Sequence, residues 1–202
     1  MGVTPQQFEQ MKKRVGGARP SASPVLPSSY RPSADAHQII LGIDPSLRGT
    51  GFGIIRLGKP HPEALTHGMI FCPTSWERSR CLVKISQTLR DVIAKFHPTV
   101  CAIEGLFFAQ NIQTTLLMGE ARGAALTTIA EAGLEIYEIS PRKVKQAIVG
   151  YGAAQKIAVA KMVQRILHLS ELPDADAADA LALALAHAQT NSGFGLNAPK
   201  KI

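Results

Sequence analysis

Four carboxylates stand at positions from which they could act together on one substrate. Asp44 and Glu104 are each the first charged residue after an apolar run that is typical of a buried strand. Asp176 and Asp179 are three residues apart in a helical pattern, so they share a face with Cβ atoms ~5 to 6 Å apart. Carboxylate oxygens suit hard cations such as Mg²⁺ or Mn²⁺ rather than zinc. Two such ions ~3.5 to 4 Å apart can activate a water and stabilise the leaving oxygen in phosphodiester hydrolysis.

Some of these acids also have an ordinary structural explanation. Asp44 lies in IILGIDPSLRGTGFGII, residues 39–55, which is typical of a β-hairpin whose Asp caps the turn through a hydrogen bond to the backbone. Acids in the first turn of a helix favour the positive end of its dipole, which accounts for Asp174 and Asp176. Asp179 lies one turn further in, among alanines and leucines, where this explanation is weaker. The choice between one shared active site and separate structural roles depends on whether the strands that end in Asp44 and Glu104 are neighbours in the sheet.

A stretch without any acid precedes the aspartate pair. Residues 139–170 contain basic side chains and no Asp or Glu, the basic ones being Arg142, Lys143, Lys145, Lys156, Lys161 and Arg165. A basic wall beside carboxylates suits a polyanion whose phosphates are held by lysines. A solvated basic helix face is the alternative. The net charge of +7 and the pI near 9.5 agree with an anionic partner, nucleic acid first and an anionic membrane surface second.

The elements that must position these residues are predicted from hydrophobic periodicity. Two strands flank the turn after Asp44, and a third is expected at residues 65–71. Apolar residues at intervals of three and four predict a helix from Glu77 that ends at His97-Pro98. The remaining elements are strands at 99–104 and 134–139 and helices at 111–132, 141–149, 155–169 and 173–187. Strands first, then alternating helices and strands, predict an α/β fold with a mixed five-stranded sheet and helices on both faces.

Composition divides the chain into three parts. Residues 1–38 are basic and rich in Pro, Ser and Gly, which predicts a flexible arm that adds phosphate affinity. An organelle transit peptide is the alternative for this arm. Residues 39–190 are expected to form the globular domain, and residues 191–202 a short flexible tail.

The cysteines and the hydropathy bear on the compartment. The three cysteines show no metal-ligand spacing, which indicates buried thiols in a reducing environment; they are Cys72, Cys81 and Cys101. No apolar run reaches the ~20 residues that a membrane helix needs. The sequence therefore predicts a cytoplasmic protein that does not contact a membrane.

A set of five segments resembles the RuvC family of Holliday junction resolvases. In chain order they are ILGIDPSLRGTGFGII, AIEGLFFAQN, GEARGAA, PRKVKQAIVGYGAAQK and DADAADALALALAH. The resemblance covers residues 39–189, nearly the whole globular part. It implies an RNase H-like nuclease domain, a homodimer, and paired symmetric nicks in four-way junction DNA during recombination and repair. It also implies Mg²⁺, two ions per active site with Mn²⁺ as a substitute, and a junction-binding and branch-migration complex of the RuvA and RuvB type.

The resemblance also assigns roles by position. One group would form the metal-binding catalytic tetrad: Asp44, Glu104, Asp176 and Asp179. A second group would contact DNA: Phe107, Arg142, Lys143, Lys145 and Lys156. Within it, Lys145 and Lys156 fall where the family places lysines at the DNA and the scissile phosphate, and Phe107 falls on the aromatic at the junction centre. Ser46-Leu47 departs from the Gly-Ser that usually follows the Asp-Pro, which could alter the turn.

Three other functions stay open at the level of sequence. A GID followed by a Gly-Thr-Gly hairpin also occurs in actin-like sugar kinases and ATPases, although those proteins need two such domains and a much longer chain. An RNase H-like nuclease acting on structured RNA would carry the same basic stretch. A non-catalytic junction-binding protein would have no need of all four carboxylates. Cleavage of a synthetic four-way junction separates these alternatives.

Overall fold

The computed structural model describes residues 38–105, 112–191 and 199–202, and within them the chain forms six strands and five helices. The strands are β1 (Ile39–Asp44), β2 (Gly49–Arg56), β3 (Glu63–Phe71), β4 (Val100–Glu104), β5 (Glu135–Ile139) and β6 (Lys200–Lys201). The helices are α1 (Arg78–Phe96), α2 (Ile112–Glu131), α3 (Pro141–Val149), α4 (Lys156–Ile166) and α5 (Ala175–Asn191). Every element predicted from the periodicity is present, and the largest difference is that α5 runs beyond its predicted end near His187.

The strands form one mixed sheet in the order β3-β2-β1-β4-β5-β6. β2 is antiparallel to both β1 and β3, whereas β4 runs parallel to both β1 and β5. Because β1 and β4 are parallel neighbours, their carboxyl ends lie at the same edge of the sheet. Asp44 and Glu104 are therefore carried to one edge by adjacent strands.

The sheet has six strands rather than the predicted five, because β6 pairs antiparallel with β5. The Ile202 N–H donates to the Ile136 carbonyl oxygen at 3.0 Å, and Lys201 Nζ lies 2.5 Å from Glu135 Oε1. A strand of two residues is too short to give a periodic pattern, which is why the sequence did not predict it. Otherwise β5 would end the sheet with unpaired backbone groups.

The predicted division into an arm at 1–38, a domain at 39–190 and a flexible tail at 191–202 stays a prediction. Residues 1–37 and 192–198 lie outside the described residues. β6 falls within the predicted tail, so this short part of it belongs to the sheet.

Helices cover both faces of the sheet, as predicted. On one face, Leu41 of β1 belongs to a buried cluster with Ile85 of α1 and Ile129 of α2. On the other face, Ile40 belongs to a buried cluster with Leu181 of α5 and with residues of α3 and α4. Successive side chains of β1 thus enter different cores, as expected for a central strand that is covered on both sides.

α5 packs very close to the sheet because the strands beneath it carry glycines. A Cβ added at Gly42 would lie 1.9 Å from the Ala180 carbonyl oxygen, and one at Gly51 would lie 2.0 Å from the Asp176 carbonyl oxygen. Any side chain at these positions would push the helix away. The alanines of α5 complete the contact from the other side. Gly42 of β1 and Gly51 of the predicted hairpin therefore form the surface on which the helix that carries two of the acids packs.

Two further predictions concern the cysteines and the membrane. The three cysteines are free and buried, as predicted. In the part of the chain that the structure describes, none of the helices combines the length and the apolar character needed to cross a membrane.

Candidate active site

Asp44 is the last residue of β1, and side chains hold the turn that follows it. Thr50 Oγ1 accepts from the Ser46 N–H at 3.2 Å and donates to the Ser46 carbonyl oxygen at 2.5 Å. Leu47 is buried in the core under α1 and α2. Arg48 Nη1 donates to a backbone carbonyl before α1 at 2.6 Å. The departure at Ser46-Leu47 is thus accommodated in an anchored turn, and Asp44 leaves the strand in a fixed position.

Glu104 is the last residue of β4, the strand beside β1. Ile43 and Ile103 are register partners in the parallel pairing, so the residue that follows each of them lies at the same edge. Asp44 and Glu104 both line one cavity of about 160 Å³. The two carboxyl groups interact closely enough that each alters the pKa of the other. The structure therefore brings together these two predicted site residues, although they are far apart in the chain.

α5 supplies a third acid to this cavity. Asp179 lines it together with the two strand-end carboxylates. Asp176, one turn earlier, lies beside Gly49 of β2, where an added Cβ would be 3.0 Å from its Oδ2. Asp176 flanks the cavity rather than lining it, and its negative charge acts on Asp44 and Lys156. Three of the four predicted acids meet in one cavity and the fourth lies at its side.

Two lysines bring positive charge to the same place. Lys145 of α3 and Lys156, the first residue of α4, both line the cavity. Lys156 Nζ lies 2.7 Å from Asp179 Oδ2, and this hydrogen bond is the main cause that raises the pKa of Lys156. A cation in the first turn of a helix is disfavoured by the helix dipole. The acids, not the helix, therefore stabilise the ammonium group at this position.

The carboxyl groups hold their protons more tightly than free acids do. Burial raises the pKa of Glu104 to about 8, and the negative charge of Asp44 and the hydrogen bond between the two groups add to this effect. Burial also raises the pKa of Asp44, against the opposing effect of the same hydrogen bond. Burial and the neighbouring charge therefore favour the protonated form of Glu104 in the absence of metal.

The chemistry of these donors fits a divalent metal ion. Three carboxyl groups and a flanking fourth are set against the ammonium group of Lys156, so ionisation of all four leaves net negative charge. Oxygen donors of this kind suit Mg²⁺ and Mn²⁺. Across residues 38–105, 112–191 and 199–202, no group of three or more His, Cys, Asp or Glu side chains already has the arrangement of a metal cage.

The remaining predicted DNA contacts lie beside the cavity or outside the described residues. Arg142 and Lys143 occupy the first turn of α3, which begins at Pro141 after the capping residue Ser140. The exposed Arg142 side chain packs along Gly152, where an added Cβ would lie 2.5 Å from Arg142 Cγ. Neither residue lines the cavity. Phe107 falls among residues 106–111, which the structure does not describe.

One residue near the site was not singled out from the sequence. Arg122 of α2 is buried and donates through Nη1 to the main-chain carbonyl oxygen of Glu104. It lies in the GEARGAA segment, where an arginine among small residues is usually explained by solvent exposure. The only sequence signal was its place in a segment that resembles the RuvC family, and that signal does not reveal its burial.

A mixed sheet with acids at the ends of two adjacent parallel strands, and a third acid on a helix packed across them, defines the class of RNase H-like nucleases. The family model described as crossover junction endodeoxyribonuclease RuvC matches residues 40–187. The chain belongs to this family. The resemblance noted in the sequence is thereby confirmed.

Known relatives agree with this assignment over most of the chain. The crossover junction endodeoxyribonuclease RuvC of Janthinobacterium is 46% identical over 160 residues, which cover 78% of this chain and 87% of that protein. The same enzyme of Akkermansia muciniphila is 45% identical over 148 residues, covering 73% and 89%. The solved structure of Thermus thermophilus RuvC in complex with Holliday junction substrate has a TM-score of 0.74 at 32% identity and covers 82% of this chain and 100% of that one. The predicted fold class is confirmed.

Proposed function

We propose that this chain is a structure-selective DNA endonuclease that resolves four-way junctions by paired, metal-dependent hydrolysis of phosphodiester bonds in recombination and repair. The observation that carries the proposal is the cavity where Asp44, Glu104 and Asp179 meet Lys145 and Lys156. The combination of acids that suit hard cations with lysines that suit phosphates matches what a nuclease must hold at one point. Family membership and the likeness to a junction-bound RuvC support junction DNA as the substrate.

The metal proposed for this site is Mg²⁺, two ions per active site, with Mn²⁺ as a substitute. The residues that would hold it are Asp44, Glu104, Asp176 and Asp179. When bound, the metal would supply an activated water and stabilise the leaving oxygen. Because burial raises the pKa of Glu104 to about 8, this carboxyl group must release a proton to become a ligand near neutral pH.

The basic residues are proposed to hold the DNA backbone. Lys145 and Lys156 would contact the oxygens of the scissile phosphate and its neighbour. The ammonium of Lys156 is paired with Asp179 at 2.7 Å, and its side chain is 65% exposed, so it can move from carboxylate to phosphate without unfolding α4. Arg142 and Lys143 would hold the adjoining strand, and Phe107 would stack at the junction centre.

We propose a homodimer whose subunits meet along the exposed face of α2. Ile112 and Leu116 on this helix are 77% and 61% exposed, and they lie four residues apart, so they share a face. Gly119 and Gly123 continue that face, and an added Cβ at either would meet nothing within 4 Å. Glycine in a helix interior costs about 1 kcal/mol of stability relative to alanine. Close approach by a second helix would explain why glycine stands at these two positions. A C₂ dimer would offer two equivalent sites to a junction of near two-fold symmetry.

The same proposal covers partners and location. A junction-binding and branch-migration complex of the RuvA and RuvB type would present the substrate, and the cytoplasm, where the DNA is, would be the place of action.

The decisive experiment incubates the protein and Mg²⁺ with a labelled synthetic four-way junction, a linear duplex and an RNA hairpin. Symmetric nicks in the junction alone support the proposal. Cleavage of the RNA hairpin in preference would favour a nuclease of structured RNA, and tight junction binding without cleavage in either Mg²⁺ or Mn²⁺ would favour a binding protein. Sedimentation of the same sample should show a dimer, and Leu116→Ser should give a monomer that binds the junction but does not make paired nicks.

A further inference from the structure

Arg122 carries a charge into the core, where it must be paired. Its side chain is 7% exposed, and among the described residues it is the one buried side chain with a permanent charge. Burying a guanidinium group costs several kcal/mol unless ion pairing and hydrogen bonds compensate. In some proteins a buried ion pair of this kind specifies one arrangement of the groups around it.

The guanidinium group of Arg122 joins three elements. From α2, its Nη1 donates to the Glu104 carbonyl oxygen at the end of β4. Its Nη2 donates to Glu138 Oε2 on β5 at 2.5 Å. Glu138 is the register partner of Ile103, the residue before Glu104. Arg122 therefore contacts both the strand that ends in a site carboxylate and the strand next to it.

The contact falls on the peptide unit that sets the direction of the Glu104 side chain. The pairing of β1 with β4 ends at Ile103, so β1 does not hold this peptide. Its carbonyl oxygen accepts from Arg122, and its N–H, that of Gly105, donates to the Ile139 carbonyl oxygen at 2.9 Å. The chain before this peptide is held by the pairing of β4 with β5. With the peptide planes on both sides of its Cα held, the Cα–Cβ direction of Glu104 is fixed as well.

We propose that Arg122 is a positioning residue for Glu104, oriented by Glu138, and that it holds the Glu104 carboxylate in the direction needed to bind metal. The inference rests on the proposed function, since it takes Glu104 to be a ligand. It assigns to Arg122 no contact with metal or DNA. Two other arginines pair with α2, Arg78 with Glu120 at 3.3 Å and Arg90 with Glu131 at 3.0 Å. Both are exposed ion pairs between α1 and α2, and neither pair includes a residue of β4 or β5.

The test measures Mn²⁺ binding to the intact chain by titration calorimetry, without DNA, for the unaltered protein, Arg122→Lys and Glu138→Gln. We expect Arg122→Lys to weaken Mn²⁺ binding about tenfold, the size usual for residues that orient a metal ligand. Glu138→Gln keeps an acceptor oxygen but loses the charge that pairs with Arg122, so it should weaken Mn²⁺ binding measurably but by less than Arg122→Lys does. The Mn²⁺ concentration for half-maximal junction cleavage should rise by the same factors, while junction affinity stays within about twofold because Arg122 is buried.

Two controls separate positioning from general stability. Ile129→Val removes a buried methylene from the same helix, in the core cluster that also includes Cys101 and Ile103 of β4, and leaves the hydrogen-bonding groups of Arg122 and Glu138 in place. Arg90→Lys alters an exposed ion pair of α2. Neither should change the dissociation constant for Mn²⁺. Equal Mn²⁺ affinity in the folded Arg122 and Glu138 variants and the unaltered protein would overturn the inference, as would an equal loss in Ile129→Val. If Arg122→Lys fails to fold, Glu138→Gln decides alone. Failure of the unaltered protein to cut the junction would instead count against the proposed function.

Discussion

The two faces of the sheet are packed by different means, and the cavity lies on only one of them. On the face of α1 and α2, large aliphatic side chains such as Ile85, Leu89 and Ile129 fill the space between helix and strand. On the face of α5, Gly42 and Gly51 meet a run of alanines and backbone carbonyls. The first arrangement separates the layers, and the second brings a helix backbone almost onto the sheet. From this second face the short side chain of Asp179 reaches the cavity that the strand-end acids line.

The largest effect is expected when an aspartate on α5 loses its charge, in comparison with an aspartate on α1 at the other face. Asp179→Asn, on α5, should lower the rate of junction cleavage about 10³-fold, or ~4 kcal/mol of transition-state stabilisation, because an acid of the site is lost. Junction affinity should be kept or tightened, since less negative charge faces the phosphates. The measurements are single-turnover cleavage in Mg²⁺ and gel-shift binding in its absence.

The matched control is Asp91→Asn, on the exposed side of α1, which should cut at the unaltered rate. If Asp179→Asn loses binding, cleavage and thermal stability together, the acid is structural and the site assignment is wrong.

A smaller effect is expected from filling the space on which the close packing depends. Gly51→Ala places a Cβ 2.0 Å from the Asp176 carbonyl oxygen, so α5 must shift. Overpacking of this kind usually lowers the free energy of unfolding by about 1 to 3 kcal/mol, and here it should also slow cleavage by the folded fraction because the aspartates move. Urea unfolding and single-turnover cleavage measure the two effects.

The control for replacing a glycine by alanine is Gly58→Ala, in the loop after β2. There the nearest atom to an added Cβ is the His61 carbonyl oxygen at 3.5 Å, an ordinary contact. Its free energy of unfolding should stay within about 0.5 kcal/mol. A Gly51→Ala protein as stable and as active as Gly58→Ala would show that α5 does not depend on this close approach.

The sequence could predict those parts of the site that depend on patterns within a single segment of the chain. The apolar runs before Asp44 and Glu104 are local, so the strands and their terminal acids were recognised, as was the helix that carries Asp179. The close packing of α5 on Gly42 was not recognised, because Ala180, which Gly42 faces, lies far later in the chain. A glycine in a hairpin already has a local explanation, which hides the second one.

The features that the sequence missed share one physical cause. β6 has two residues and exists because β5 offers an open edge, and Arg122 is buried only because Glu138 and a strand-end carbonyl face it. Both depend on what the folded chain places opposite them. Periodicity describes one segment at a time and cannot supply that information.

The smallest expected effect distinguishes the two faces by pH. On the face that holds the cavity, burial raises the pKa of Glu104 from 4.5 to about 8. Between these values the folded, metal-free protein binds more protons than the unfolded chain, so the free energy of unfolding falls as pH rises. The contribution is fully present below pH 4.5 and is lost as pH passes 8. Relaxation of the protein and entry of water reduce the energetic effect of this pKa shift. We therefore expect the free energy of unfolding to fall by about 2 kcal/mol over this range.

Urea unfolding in EDTA at pH 5 and pH 8 measures this loss, and the difference between variants isolates Glu104. Glu104→Gln should remove most of the fall because the amide does not titrate, whereas Glu171→Gln, an exposed residue before α5, should leave it unchanged. Mg²⁺ should stabilise the unaltered protein more at pH 8 than at pH 5, because protons compete with metal for the same carboxylate. If Glu104→Gln retained the full pH dependence, the titrating group would lie elsewhere. The closeness of Asp44 and Glu104 would then not explain why this edge of the sheet is less stable without metal as pH rises.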